Sequence, residues 1–229
     1  MLQNTLRYVF EGEEIVFKTL GAGRTDAMVS AEQAAFELFI DRPIEDTQAF
    51  LVLFNKNLPM DIRALTVEEV DEHFNIIHDV TTKTYRYFFA VGEKYHPFCA
   101  GIMANFQEDL DIALMQQGAK LFEGRHHFKA YTVRPSEHMQ FDREVLQCEL
   151  KVNDIYTANF FPEQSYVLTV KGKGFMRQQI RKMMGALVSL GKGELSLEDI
   201  KESLKTNPTI IPEYIAPASG LILSKVAFN

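Results

Sequence analysis

Cysteine is scarce: the 229 residues hold two, Cys99 and Cys148. Two thiols cannot build a disulfide framework, and both are expected to be reduced core residues. Metal-ligand spacing is missing too. Neither Cys-x-x-Cys nor His-x-x-x-His occurs, and the adjacent His126 and His127 would diverge, so no structural metal is expected. No apolar run is long enough to cross a bilayer, and Met1-Leu2-Gln3-Asn4 does not open a signal peptide; the expected address is the cytoplasm, with no membrane partner. Positive charge is in deficit, since 24 Lys and Arg against 31 Asp and Glu give a formal net charge of −7. Nucleic-acid phosphates normally reward a basic protein, so an RNA partner would have to be met by a local basic surface. A Walker motif is absent: Gly172-Lys173-Gly174-Phe175 lacks both its spacing and its Lys-Ser/Thr, and nucleotide hydrolysis has no support.

What is present is the makings of a core. Apolar residues are 46% of the chain and aromatics 11%, enough for one large domain or two half-sized units. The strongest strand pattern is residues 81–91, where Tyr85, Tyr87 and Phe89 alternate with Thr84, Arg86 and Phe88. Residues 144–153 and 166–172 read as paired strands and 221–228 as a closing strand. Residues 62–70 and 74–80 read as two more, separated by an acidic turn. Glu13-Glu14-Ile15-Val16-Phe17 reads as a strand behind a short helical start, and residues 29–40 as a buried strand or a helix turn leading to one. Phe50 to Phe54 is ambiguous, and Asn55 to Asp61 reads as a loop on its Asn and Pro content. Helices are expected over residues 109–122, 175–190, where Met176, Ile180, Met183, Leu187 and Leu190 form one stripe, and from the capping box at Ser196 to Leu204. Gly185 inside the second of these implies close packing against another element. His96-Pro97-Phe98 breaks the pattern and divides the chain into expected halves 1–97 and 98–229.

Three groups of residues could carry chemistry. In Gly21-Ala22-Gly23-Arg24-Thr25-Asp26-Ala27 two glycines allow a sharp turn or close approach, and an extended backbone would aim Arg24 and Asp26 the same way. A guanidinium that orients a carboxylate is what a carboxylate nucleophile requires. On the heptad alone, Asp26 as a turn or cap residue beside a solvated Arg24 is the simpler reading. Lys171, Lys173, Arg177, Arg181 and Lys182 gather at the start of the 175–190 helix, where the helix dipole disfavours cations; either an anion such as phosphate is expected there, or the face is merely solvated. Tyr85, flanked by Lys83 and Arg86, could stack on a base and exchange a proton, or fill space across strands.

Taken in order, Gly23-Arg24-Thr25-Asp26-Ala27, Asn55-x-Asn57-Leu58-Pro59-x-Asp61-Ile62, Tyr85-Arg86-Tyr87, Phe175-Met176-x-x-x-Ile180-Arg181-x-Met183-x-Gly185 and Ala216-Pro217-Ala218-x-Gly220-Leu221 resemble the tRNA pseudouridine synthase A family from about residue 6 to 228. The resemblance implies an α+β fold of two ferredoxin-like halves with merged antiparallel sheets, helices on one face and a basic cleft between the halves. It implies a homodimer that isomerises uridine to pseudouridine in the anticodon stem-loop of tRNA, without metal or organic cofactor. Asp26 would be the nucleophile, at the sugar C1′ or the ring C6. Tyr85 would stack on the base and could take up the C5 proton. Arg24 would fill the vacated stem position or hold a phosphate, and Arg181 would pair with Asp26. Leu221 would wall the uracil pocket, with Lys83, Lys171, Lys173 and Arg177 toward the RNA.

The chain also departs from that family. It has no tryptophan, whereas the family opens with a strand and a Gly-Trp-Gln segment, so the chain would start inside the family's first helix: a start site set too late, or a shortened paralogue. After the aspartate, Met28-Val29-Ser30 stands for Gly-Val-His, which puts bulk and a Cβ beside the nucleophile. Ile77 stands where the family tends to carry an arginine. The competing reading is therefore a catalytically impaired paralogue that binds tRNA.

Overall fold

The computed structural model describes residues 1–11, 15–136 and 138–229. Five α-helices and nine strands occur among the described residues. The first six elements are α1 (Leu2–Val9), β1 (Phe17–Gly21), β2 (Ser30–Ala31), β3 (Phe36–Ile40), α2 (Thr47–Asn57) and β4 (Val80–Val91). They are followed by β5 (Ala104–Phe106), α3 (Ile112–Lys120), β6 (Gly124–His127) and β7 (Asp142–Val152). The last four are β8 (Tyr166–Gly172), α4 (Gln179–Gly191), α5 (Leu197–Ser203) and β9 (Leu221–Phe228). The chain divides into two compact units, Met1–Gly23 with Ala35–Asp79, and Arg24–Ala34 with Val80–Asn229. The His96-Pro97-Phe98 stretch expected to mark the seam lies within the second unit, where the His96 ring accepts from the Phe98 N–H and a 3-10 turn follows.

In the first unit β1 pairs antiparallel with β3, and α1 packs on α2. Phe10, Phe50 and Phe54 stack in sequence, with ring centroids 5.8 and 5.6 Å apart. The strand expected over 13–17 begins instead at Phe17; Glu13 and Glu14 lie outside the described residues. Asp46 caps α2 through the N–H groups of Gln48 and Ala49, which settles Phe50 to Phe54 as helix. Asn55 and Asn57, expected in a loop, form the last turn of that helix, where the Asn57 amide donates to the Leu53 carbonyl.

The two strands expected over 62–70 and 74–80 do not form before Val80. Side chains take the hydrogen bonds that a ladder would need. Asn55 brackets Ala64 from both sides, its Nδ2 donating to the carbonyl and its Oδ1 accepting from the N–H. Asp71 accepts from the N–H groups of His73 and Phe74, Asn75 from those of Ile77 and His78, and Asp79 from that of Asn75. Asx turns of this kind compete directly with sheet pairing.

The second unit is a seven-stranded sheet in the order β2-β9-β4-β8-β7-β6, with β5 also paired to β4. It corrects the expectation of a purely antiparallel sheet: β2 runs parallel to β9 and β5 parallel to β4. Both exceptions are strands of two or three residues that enter from loops. The α+β class holds. One face of β4, with Tyr87 and Phe89, shares a core with Met115 and Ala119 of α3 and Met183, Met184 and Leu187 of α4. Each buried Met, Leu or Phe side chain among these contributes about 2 kcal/mol of transfer free energy. The opposite face, with Phe88 and Ala90, packs with Cys99, Met103, Val167 and Ile222. Cys99 and Cys148 are buried free thiols, and burial pushes both above the usual thiol range. Among the described residues no helix is long and apolar enough to cross a membrane.

Candidate active site

Helix α4 positions the first functional side chain. It begins after Gln178, whose backbone is left-handed at φ +59°, and the buried Gln179 amide oxygen accepts from the Met176 N–H to tie the entry turn down. Arg181 therefore lies in the first turn. The stretch before the closing strand crosses this helix so closely that a Cβ on Gly185 would sit 2.0 Å from the Tyr214 carbonyl oxygen. That is the close packing the sequence implies at Gly185. Two bonds latch the crossing: the Ala216 N–H donates to the Arg181 carbonyl at 3.1 Å, and Arg181 Nε donates to the Ala216 carbonyl at 2.8 Å. The remaining face of the guanidinium is aimed by these contacts, and its Nη1 donates to Asp26 Oδ2 at 2.9 Å. With side chains 15% and 25% exposed, the pair is shielded enough to be stronger than a surface ion pair.

Asp26 sits in a turn, since the Val29 N–H donates to its carbonyl at 3.2 Å. Within this turn Met28 is left-handed, φ +69°, and exposed. Residues 24–26 belong to no strand, and the turn begins at Asp26. Arg24 is exposed and makes no ion pair among the described residues; the partner of Asp26 is Arg181.

Tyr85 faces this pair from β4. Its ring meets Phe175 edge to face at 5.5 Å, and Tyr85, Val29 and Leu221 all belong to the main apolar cluster. Burial, and next the Asp26 carboxylate, push its phenol above the ordinary tyrosine range, so at neutral pH it is a protonated donor and a stacking face. Two positions along, the fully buried Tyr87 donates its hydroxyl to the Pro217 carbonyl at 2.8 Å. A Cβ on Gly220 would come within 2.7 Å of the Phe88 carbonyl, so glycine lets this segment lie close on β4 and start β9 with Leu221, 6% exposed, opposite Tyr87.

The expected RNA-facing cations are more dispersed. Lys83 shares the Tyr85 face, and burial lowers its ammonium below the usual lysine range. Lys171 pairs opposite Thr84, which puts it on the other face of the sheet. Lys173 and Arg177 are exposed in the turn before α4, and the Arg177 carbonyl accepts from the Thr132 hydroxyl at 3.3 Å. Sequence reasoning missed Phe175 as the edge partner of Tyr85 and Ala216 as the acceptor that aims Arg181. Both lie within stretches the family resemblance already singles out.

An oriented carboxylate beside a neutral phenol ring and aliphatic walls suits nucleophilic chemistry on a flat, polar ring held against that phenol. A family model described as tRNA pseudouridine synthase matches residues 119–229. The tRNA pseudouridine synthase A 2 of Bacillus cereus (strain ATCC 10987 / NRS 248) is 31% identical, over 91% of this chain and 81% of its own. That of Methylacidiphilum infernorum, tRNA pseudouridine synthase A, is 31% identical over 91% and 78%. The tRNA pseudouridine synthase A of Thermodesulfovibrio yellowstonii is 27% identical over 99% and 88%. The chain belongs to the tRNA pseudouridine synthase A family.

Proposed function

We infer that this chain is an isomerase that converts uridine to pseudouridine in tRNA, acting on the anticodon stem-loop with Asp26 as its nucleophile. Family membership supports the reaction. The observation that carries the assignment of Asp26 is its 2.9 Å contact with Arg181, itself latched to Ala216, with the Asp26 carboxylate near enough to Tyr85 to help raise its phenol. The target base must leave the stack, at a cost of a few kcal/mol, and Tyr85 and Phe175 offer the aromatic surface that offsets it. Attack of the carboxylate at C1′ or at C6 labilises the N1–C1′ bond. That bond breaks, the ring turns, C5 bonds to C1′, the C5 proton passes to water while N1 takes one up, and the carboxylate is released unchanged, so the product is an isomer and no electrons are exchanged with a cofactor.

A phenol held protonated is a poor base for the C5 proton, so Tyr85 serves as the stacking face and donor. Leu221 walls the ring. The exposed Arg24 fills the vacated stem position or holds a phosphate, with Lys83, Lys173 and Arg177 holding further backbone phosphates and Lys171 left on the opposite face of the sheet. The same resemblance extends the proposal to two ferredoxin-like halves lining a basic cleft, a cytoplasmic site of action and a homodimer, which sedimentation equilibrium would test.

Tritium release from tRNA labelled at uridine C5 tests the reading. Release by this chain and not by Asp26→Asn, with tRNA binding nearly unchanged, is the expected result; product from the Asn variant would remove Asp26 as nucleophile. The alternative, a tRNA-binding protein without turnover, is favoured by one observation, the side chain of Met28 held at φ +69° beside Asp26. It predicts binding without release.

A further inference from the structure

The Asp26 turn is held at both ends. Upstream its carboxylate is fixed by Arg181; downstream it leads into β2, which has only two residues in register with β9, Ser30 opposite Ile222 and Ala31 opposite Leu223. A strand that short specifies its register weakly. Immediately after it, the Glu32 N–H donates to the Leu223 carbonyl at 2.9 Å, and the Glu32 carboxylate is gripped from two neighbouring strands. Arg86 of β4 donates from Nη1 to Glu32 Oε2 at 3.3 Å, and the Ser224 hydroxyl of β9 donates to the same oxygen. Arg86 adjoins Tyr85 in sequence and points to the opposite face of the sheet. Its Nε is buried with no partner among the described residues. A half-buried ion pair that leaves a donor unmatched is not an efficient way to gain stability, because an apolar pair of the same volume often does as well.

Resting on the proposed isomerase reading, we propose that Glu32, clamped by Arg86 and Ser224, is a positioning residue that sets the distance between the nucleophile Asp26 and the stacking ring of Tyr85. The clamp joins the exit of the Asp26 turn to the strand residue next to Tyr85, so a slip at β2 would move the carboxylate relative to the base.

The test compares the wild type with Glu32→Ala, with Glu32→Gln, which keeps an acceptor oxygen for both donors, and with the apolar double variant Glu32→Leu/Arg86→Leu, which keeps the site filled. C5 tritium release and amide hydrogen exchange are read on each. Expected is a fall in kcat of about tenfold or more in the Ala and double variants, as a misplaced reacting group gives. KM for tRNA should stay within about twofold, and Gln should recover most of the rate. Amides of residues 29–32 should exchange about tenfold faster in the Ala and double variants while those of β8 do not change. A folded double variant with wild-type kcat, a loss confined to KM, or unchanged exchange over residues 29–32 would overturn the proposal. If the wild type releases no tritium, the isomerase reading fails, and hydrogen exchange alone decides whether the clamp holds the turn.

Discussion

On one face of β4, Tyr85, Tyr87 and Phe89 lie against α3, α4 and the segment that leads into β9; on the other, Arg86 grips Glu32, and Phe88 and Ala90 pack under the loops around Cys99 and Phe160. Polar groups on the first face are anchored to backbone carbonyls, Tyr87 on Pro217 and Arg181 on Ala216. On the second, side chain meets side chain, as Glu32 with Arg86 and Ser224. A carbonyl fixed by its own chain is a rigid acceptor with no rotamer freedom to lose, so Arg181 and Tyr87 are held more stiffly than the Glu32 carboxylate. The strand serves as a common rail, and the side-chain clamp on its back sets where the Asp26 turn attaches.

Substitutions along this contrast give graded effects. Arg181→Met removes both the aim of Asp26 and the donor to Ala216, and should lower the tritium-release kcat by about a thousandfold, the range seen when a preorganised charged contact to the reacting centre is lost. Gly185→Ala would break the carbonyl-anchored side without touching a reacting atom. Its Cβ must push the Tyr214 carbonyl away from 2.0 Å, and urea unfolding should show a loss of about 3 kcal/mol.

Tyr85→Phe keeps the stacking face and loses the hydroxyl, so kcat should fall no more than about tenfold, whereas a larger loss would return the phenol to a direct role in proton transfer. In the wild type, ultraviolet titration should find a tyrosine, absent from Tyr85→Phe, that ionises above the ordinary value of 10.0. The folded state holds that proton more tightly than the unfolded chain does. The associated stability is therefore present below pH 10 and is lost as pH rises from there through the raised value. The smallest effect is expected at Met28→Gly: glycine occupies φ +69° freely, and relief of that conformation, less the added freedom of the unfolded chain, should stabilise the protein by about 1 kcal/mol in the same urea measurement.

The elements legible in the sequence are those with local signals. The alternation over 81–91, the pair of strands around residues 144–153 and 166–172, the Ser196 capping box and the closing strand all form as expected. Residues 62–79 misled because their apolar spacing resembles strands, while Asn55, Asp71, Asn75 and Asp79 take up the backbone groups that pairing requires. In the proposed site, Asp26, Tyr85, Arg181 and Leu221 all come from the motifs that carry the family resemblance. Arg24 as the partner of Asp26 followed from neighbourhood in sequence, whereas the ion pair forms with Arg181, 155 residues away. Glu32 was out of reach, because its partners lie 54 and 192 residues away and no spacing rule links them.

The double engagement of Arg181 bears on how salt should act on the complex with tRNA. With Nε on a carbonyl and Nη1 on a carboxylate, this guanidinium is already neutralised and makes a poor phosphate ligand. Condensed counterions leave the nucleic acid only where a free cation replaces them, which lowers log affinity by about 0.7 to 0.9 per phosphate for each unit of log salt. Arg181→Met should therefore leave the salt slope of tRNA binding as it was, while Arg24→Met or Arg177→Met should flatten it by nearly one contact each.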